Sequence, residues 1–125
     1  MRKSLTPMGE TEMEVLNHVW DMGEASVGDV RERVLQKRQV AYTTIMTVMK
    51  NLHNKGYLKY RKQGMSYIYS ASMRPDEVRF KLLERLLDKV FLGSTGHLVQ
   101  TLVESEELSG RQMDELRDMI KKLND

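Results

Sequence analysis

The spacing of apolar residues changes near residue 57, and this change constrains the fold more than any other feature of the chain. Before it, apolar residues recur every three to four positions, which predicts amphipathic helices. After it, the period changes to two over residues 57–62, where apolar and basic residues alternate, and 66–71, where Tyr67 and Tyr69 are two positions apart, which predicts two β-strands joined by a turn at Gln63-Gly64-Met65. We therefore expect helices followed by a β-hairpin within the first 73 residues.

Three short helices are predicted before the hairpin. Gly23 and Gly56 supply the C-terminal stops of the first and third helices, and Ser26 supplies the N-cap of the second. The predicted helices cover residues 10–22, 26 to about 37, and 43–55. Helices followed by a basic hairpin form the order of a winged helix-turn-helix, so the predicted fold class is mainly α with a small β-hairpin wing.

Basic residues concentrate in this N-terminal part. Residues 1–73 carry 11 Lys+Arg and 7 Asp+Glu, a net charge of +4, whereas residues 74–125 carry 9 and 11, a net charge of −2. From Arg31 to Lys62 there are nine basic residues and one acid, Glu32. Such a concentration suits a polyanionic partner, and the plainer alternative is a solvated cationic surface.

The third predicted helix carries the candidates for DNA groove contact. When its apolar residues face inward, its outward face has short hydroxyls, amides and a single charge, which suit close approach to base edges. Helix capping is the alternative role for the two threonines at its start. The predicted groove contacts are Thr43, Thr44, Met46, Thr47, Lys50 and Asn51.

The predicted wing supplies basic and aromatic side chains. We expect Lys59, Arg61 and Lys62 to contact the sugar–phosphate backbone, where cations position a protein without reading sequence. Tyr67 could donate its hydroxyl to a phosphate or support the hairpin as a half-buried ring, and both interpretations stay open. The predicted DNA-binding surface is therefore helix 43–55 together with wing 59–66.

A wider apolar pattern follows in residues 74–125. A helix is predicted from Pro75 to about Phe91, a break at 93–96, a short helix after it, and a last helix that a Ser109/Gln112 capping box opens. About fifty residues cannot bury this much apolar surface alone, so we predict a helical dimerisation lobe over 74–125 and a winged-helix DNA-binding domain over 1–73. The predicted dimer contacts are Phe80, Leu83, Leu87, Val90, Phe91, Leu98, Leu102, Leu116 and Ile120.

Several function classes are disfavoured by what the sequence lacks. It has no Gly-rich phosphate loop, no His-Glu-x-x-His pair and no nucleophile elbow, so no enzyme activity, catalytic residue or cofactor is expected. The absence of cysteine excludes disulfides and Cys-type zinc sites, and the three scattered histidines give no metal site. Without a run of about 18 apolar residues or an apolar stretch in residues 1–5, we expect no membrane insertion and no secretion, and the lack of cysteine fits a reducing, cytoplasmic location.

Specific segments resemble the penicillinase repressor family (BlaI/MecI/CopY type). The resemblance runs from about Leu5 to Leu123, and its order and spacing are more specific than any single piece. The segments that carry it are Glu12-Met13-Glu14-Val15-Leu16-Asn17-His18-Val19-Trp20, Ala41-Tyr42-Thr43-Thr44-Ile45-Met46-Thr47-Val48-Met49-Lys50-Asn51-Leu52, Lys55-Gly56-Tyr57-Leu58, Tyr67-Ile68-Tyr69-Ser70 and Glu106-Glu107-Leu108-Ser109.

The resemblance implies a homodimeric transcriptional repressor whose winged helix binds half of a palindromic double-stranded DNA operator. It also implies release by a membrane sensor-protease system that a β-lactam triggers, with cleavage near Thr101-Leu102. Members known for that switch carry Asn-Phe there, and staphylococcal-type members carry Arg where this chain has Met46 and Asn51. Copper-responsive members carry a cysteine-rich C-terminal motif, which this chain lacks.

Two alternatives to a protease-released repressor remain at this point. One is a ligand- or metal-gated winged-helix regulator that releases DNA without cleavage. The other is a winged-helix module that binds a protein, which would favour apolar residues on the outward face of the third helix. The hydroxyl, amide and lysine side chains of that face favour DNA.

Overall fold

The computed structural model describes residues 8–124 and confirms the mainly helical class with a β-hairpin wing. Residues 1–7 and 125 of the two predicted domains, and with them Leu5, lie outside the described residues. The elements in chain order are α1 (Glu10–Met22), β1 (Glu24–Ala25), α2 (Val27–Leu35), α3 (Tyr42–Asn54), β2 (Leu58–Gln63), β3 (Ser66–Ala71), α4 (Pro75–Val90), α5 (Thr95–Glu104) and α6 (Gly110–Asn124).

Two compact units make up the chain, Met1–Leu82 and Leu83–Asp125. The first turns of α4 belong to the N-terminal unit, because Val78 is fully buried in its core and Leu82 packs against that core. The functional boundary after residue 73 stays a prediction. In the described range of 8–124, no helix is both long and apolar enough to cross a bilayer.

The helix ends of the N-terminal unit follow the predicted signals. Ser26 Oγ accepts a hydrogen bond from the Asp29 backbone N–H at 3.1 Å, and Asp29 Oδ2 accepts one from the Ser26 N–H at 3.0 Å. This reciprocal capping box satisfies backbone donors that the first turn of α2 leaves unpaired. Helix α2 ends at Leu35, two residues before the predicted end at Lys37, and α3 begins one residue earlier than predicted, at Tyr42.

The core of this unit lies between the three helices and the sheet. Each helix contributes the apolar stripe that its periodicity predicts, although Met13, Trp20 and Val48 on these stripes are only half-buried. The fully buried side chains include Val15, Leu16, Val19, Val30, Val34, Ile45, Met49, Leu52, Tyr57, Leu58 and Val78. Because Ile45, Met49 and Leu52 fix the inward side of α3, the rotation of this helix and its outward face are determined.

The sheet has three antiparallel strands in the order β1-β3-β2. Strands β2 and β3 pair from Leu58↔Ala71 to Gln63↔Ser66, which leaves a two-residue turn in which Gly64 has φ 61°. A positive φ at this turn position favours glycine. The sequence does not predict β1, because two residues are too few to show an alternating pattern.

The junction between α3 and β2 sets where the wing begins. Gly56, with φ 92°, follows the last turn of α3. Its N–H donates to His53 O at 3.0 Å, and the Tyr57 N–H donates to Leu52 O at 2.9 Å. These two bonds form a Schellman ending, so the wing starts directly at the C-terminal end of α3.

The C-terminal unit confirms one predicted helix start and corrects another. Ser109 Oγ accepts from the Gln112 N–H at 3.2 Å and Gln112 Oε1 accepts from the Ser109 N–H at 3.0 Å, which is the predicted capping box. Thr95 and Gly96, however, do not break the helical pattern. They begin α5, because Ser94 Oγ accepts from the His97 N–H at 3.1 Å and caps this helix.

Candidate nucleic-acid interface

The outward face of α3 is polar and open to solvent. Thr43, Thr47 and Lys50 are exposed there, together with Thr44 and Asn51. The sixth predicted contact differs, since Met46 is half-buried and packs against the core. Helix α3 therefore offers a surface, the α3 face, formed by the residues Thr43, Thr44, Thr47, Lys50 and Asn51.

The threonines at the start of α3 do not cap it. Ala41 occupies the N-cap position and provides no side-chain hydrogen bond to the first turn, so Thr43 and Thr44 lie within the helix. Their hydroxyls are exposed on the α3 face rather than used at its end. This removes capping as the explanation for a hydroxyl-rich first turn.

The predicted wing contacts lie on two faces of the hairpin. Successive residues of a strand point to opposite faces, and directly paired residues share a face. The register Lys59↔Ser70 and Arg61↔Ile68 places Lys59 and Arg61 on one face, and Lys62↔Tyr67 places the third cation on the other. The three cations predicted to contact the DNA backbone together therefore lie on opposite faces of the hairpin.

Arg61 is bound within the protein. Its Nε and Nη2 donate to the two carboxylate oxygens of Glu24 at 3.1 and 3.2 Å, and its Nη1 donates to Gln63 Oε1 at 2.6 Å. The hydrogen bonds and charge of Arg61 lower the pKa of Glu24, and those of Glu24 raise the pKa of Arg61. A phosphate contact from Arg61 would therefore use the two N–H groups that these bonds leave, one on Nη1 and one on Nη2, or require that the guanidinium leave Glu24.

Other cations of the basic stretch also have partners. Arg33 pairs with Asp21, Arg38 with Glu14 and Lys55 with Glu12, while Arg31 Nε donates to Val40 O at 3.0 Å. Over the described stretch from Arg31 to Lys62, the cations without an ion pair are Arg31, Lys37, Lys50, Lys59 and Lys62. The positive charge available to a polyanion is thus smaller and more localised than the sequence count indicated.

Aromatic rings join the end of α3 to the wing. The Tyr60 ring lies 4.8 Å from the His53 ring, 4.7 Å from Tyr67 and 5.7 Å from Tyr69, between ring centroids. His53 Nδ1 lies 3.0 Å from Leu58 O, the geometry of an N–H donating to that carbonyl. Burial, and then the neighbouring tyrosines, raise the pKa of Tyr69. The wing is therefore held against α3 by tilted ring contacts.

Tyr67 takes part in this ring cluster and is also 42% exposed. Lys62 Nζ lies 6.0 Å from the centre of its ring, at the limit of a cation–π contact. The two roles left open by the sequence are thus compatible, because the ring supports the hairpin while the exposed part of the side chain is free to meet a ligand.

The Glu12–Lys55 ion pair holds the C-terminal end of α3 against α1. Lys55 Nζ donates to both carboxylate oxygens of Glu12 at 2.9 Å, and Glu12 Oε1 also accepts from the Gly9 N–H at 3.1 Å. Burial raises the pKa of Glu12, but the hydrogen bonds from Lys55 and Gly9 and the charge of Lys55 outweigh it and leave the pKa below its ordinary value.

Glu12→Gln should lower the free energy of unfolding by about 1 kcal/mol at neutral pH. Because folding lowers the pKa of Glu12, the pair stabilises the protein fully at pH values above the ordinary carboxyl pKa. This stabilisation is lost as the pH falls through the lower pKa of the folded state. Urea unfolding from pH 7 to pH 3 measures it, with Glu10→Gln on the same helix as control. An equal effect of both variants, or one independent of pH, would show that the Glu12–Lys55 pair contributes nothing.

Comparisons with known proteins agree with this geometry. A family model described as penicillinase repressor matches residues 8–122. Methicillin resistance regulatory protein MecI of Mammaliicoccus sciuri is 28% identical over 115 residues, which cover 92% of this chain and 94% of that protein. The penicillinase repressor of Staphylococcus aureus is 28% identical over 109 residues, which cover 87% of this chain and 86% of that repressor.

Two solved structures show the same fold over the N-terminal unit. The DNA-binding domain of the repressor BlaI superposes with a TM-score of 0.53 and 21% identity, covering 61% of this chain and 93% of that domain. Bacillus licheniformis BlaI, in monomeric form in complex with the blaP half-operator, gives a TM-score of 0.50 and 20% identity, covering 59% and 90%. Both establish the winged-helix fold of this region.

Proposed function

The chain belongs to the penicillinase repressor family, whose members are transcriptional repressors rather than enzymes, and we propose that it acts as a homodimer on a palindromic promoter operator. The observation that carries this proposal is the α3 face, which is exposed, polar and fixed in rotation by buried Ile45, Met49 and Leu52. A helix of this kind fits the major groove, where hydroxyls and amides meet base edges.

The proposed contacts divide into groove contacts and backbone contacts. Thr43, Thr44, Thr47, Lys50 and Asn51 meet base edges, with Met46 at the margin, while Lys59 and Lys62 meet phosphates and Tyr67 donates its hydroxyl beside Lys62. The related BlaI in complex with a half-operator supports one winged helix per half-site. Two half-sites then need two chains.

The second copy is proposed because the C-terminal unit does not bury its own apolar residues. Among residues 83–123, every side chain is exposed or only half-buried. Within the predicted dimer set, exposed side chains are Phe80, Leu83, Val90, Leu102 and Ile120, and half-buried ones are Leu87, Phe91, Leu98 and Leu116. A symmetric partner would cover these apolar side chains and complete a core, because apolar surface left exposed to water is unfavourable.

Release from DNA is proposed to occur by proteolysis in the C-terminal unit. Thr101 and Leu102 are exposed in α5, and Thr101 Oγ1 donates to His97 O at 2.8 Å. A protease needs an extended peptide, so cleavage here requires that the last turn of α5 unwind. The proposed upstream partner is a membrane sensor-protease that responds to an antibiotic, and the proposed location is the cytoplasm.

Lys62→Ala tests the DNA contact that the wing makes. This variant should lower affinity about equally on all sequences. It should also reduce the slope of log Kd against log salt by about one, because binding then releases one counterion fewer. Salt-titrated gel shifts of the full chain on operator and unrelated duplexes measure both quantities. Lys121→Ala, an exposed lysine in α6, is the matched control. An unchanged slope for Lys62→Ala would contradict the wing assignment.

A further inference from the structure

Gln63 occupies the tip of the wing with its amide in a defined orientation. It is the last residue of β2, pairs with Ser66 across the two-residue turn, and is exposed. Arg61 Nη1 donates to its Oε1 at 2.6 Å. A guanidinium has donors only, so the amide oxygen must face Arg61 and the NH2 group must face away from it.

Glu24 in turn holds Arg61. Its carboxylate accepts from Nε and Nη2 in the forked geometry of a bidentate pair, at 3.1 and 3.2 Å. Arg61 therefore has an internal partner for its charge and for three of its N–H directions. The raised pKa of Arg61 and the lowered pKa of Glu24 agree with this pairing. The three side chains form a relay from β1 to the wing tip, which fixes Gln63 rather than offering Arg61 to a phosphate.

The free end of this relay is the NH2 group of Gln63, which is a hydrogen-bond donor. The amide NH2 of Gln63 has no hydrogen-bond partner among residues 8–124, and its oxygen is engaged by Arg61. A glutamine that recognises adenine in the major groove needs both its donor and its acceptor. Because Arg61 holds the oxygen of Gln63 and leaves it one lone pair, the side of the amide opposite Arg61 presents the N–H donors.

The minor groove is the surface that a donor-only group can discriminate. A·T and T·A pairs both present only acceptors there, whereas G·C adds the donor of the guanine 2-amino group. The groove is about 6 Å wide and admits single side chains such as those at a hairpin tip. The residues at this tip are small or extended, with Gly64 in the turn and Met65 99% exposed.

We infer that Gln63 is a specificity-determining residue that selects A·T or T·A over G·C in the minor groove beside each half-site, with Arg61 and Glu24 as its positioning residues. This inference rests on the proposed function, because it requires that the wing meet duplex DNA. It differs from plain backbone contact in predicting a sequence preference at pairs that α3 does not reach.

The test uses the full chain and a duplex recovered by repeated selection from random DNA. Each A·T pair of that duplex is replaced in turn by G·C and by inosine·cytosine, which has the major-groove edge of G·C but lacks the 2-amino group. At the base pair that Gln63 contacts, replacement by G·C should weaken wild-type binding about tenfold, and replacement by inosine·cytosine should restore the affinity.

Variants separate reading from positioning. Gln63→Ala should bind the three duplexes within about twofold of one another. Arg61→Lys, which keeps the charge but not the fork, should lose most of the discrimination with an unchanged salt slope. Glu24→Gln should also lose most of the discrimination, and its salt slope should not fall, because the charge of Arg61 is then free to meet a phosphate. Lys62→Ala should bind all three more weakly and keep the discrimination. Circular dichroism melting verifies that each variant is folded.

The outcomes distinguish this inference from the proposed function. If wild-type protein retains no duplex, the proposed function fails and this inference fails with it. If duplex is retained but Gln63→Ala discriminates as wild type does, or if inosine·cytosine weakens binding as G·C does, the inference alone is overturned. Loss of discrimination in Lys62→Ala as well would also overturn it, since the effect would then follow wing contact in general.

Discussion

Lys50→Glu is expected to lower operator affinity about a hundredfold, a loss of about 3 kcal/mol. Lys50 lies on the α3 face, is exposed, and has no ion pair within the described residues. The substitution removes a donor aimed at the groove and introduces repulsion from the phosphates, so a contact is lost and an unfavourable charge is added. Thr47→Ala on the same face should change which base is preferred with a smaller loss of affinity.

Gel shifts at one fixed salt concentration measure the Lys50→Glu effect, with Lys81→Glu as control. Lys81 is an exposed lysine of α4, so the control makes the same change in net charge without touching the α3 face. Comparable losses for the two variants would mean that net charge alone governs binding. That outcome would contradict α3 as the recognition helix.

The double variant Leu83→Asp, Val90→Asp is expected to convert the protein to a monomer and to lower affinity for a full operator at least a hundredfold. These α4 side chains are 48% and 60% exposed, so the substitutions cost little in the isolated chain. In a dimer they would bury carboxylates in an apolar contact, which costs several kcal/mol. Loss of the second half-site contact then follows, because two linked half-sites bind far more tightly than one.

Sedimentation at micromolar concentration measures the oligomeric state, and gel shifts on full and half operators measure the affinity. Lys89→Asp, an exposed residue of the same helix, is the control and should remain dimeric. Affinity for a half-operator should be nearly unchanged in the double variant. A wild-type protein that sediments as a folded monomer would remove the proposed role of the C-terminal unit.

Local signals explain why much of the fold could be predicted. Ser26, Gly56 and the Ser109/Gln112 pair act on backbone groups within a few residues of themselves, so their effects are visible in the sequence. The apolar stripe of α3 likewise determines which side is outward, and Thr43, Thr47 and Lys50 are exposed as expected. Val48 differs because core packing, rather than periodicity, decides how deeply a marginal position is buried.

Contacts between distant residues explain what the sequence did not predict. Glu24 lies in a two-residue strand and meets Arg61 only because β1 joins the sheet beside β3. Glu12 and Lys55 are likewise brought together by the packing of α1 against α3. Such ion pairs form only in the tertiary structure, so a count of basic residues overstates the positive charge available to bind DNA. The orientation of Gln63 cannot be predicted from the sequence either, because it depends on the position of β1 in the sheet.

The most direct test of the central claim is selection of bound duplexes from random DNA by the full wild-type chain, followed by sequencing. A homodimer with one recognition helix per chain should enrich an inverted repeat, with half-site centres about 10 base pairs apart or a multiple of that spacing. Enrichment of a single site without two-fold symmetry, or of no sequence at all, would contradict the account of this chain as a dimeric operator-binding repressor.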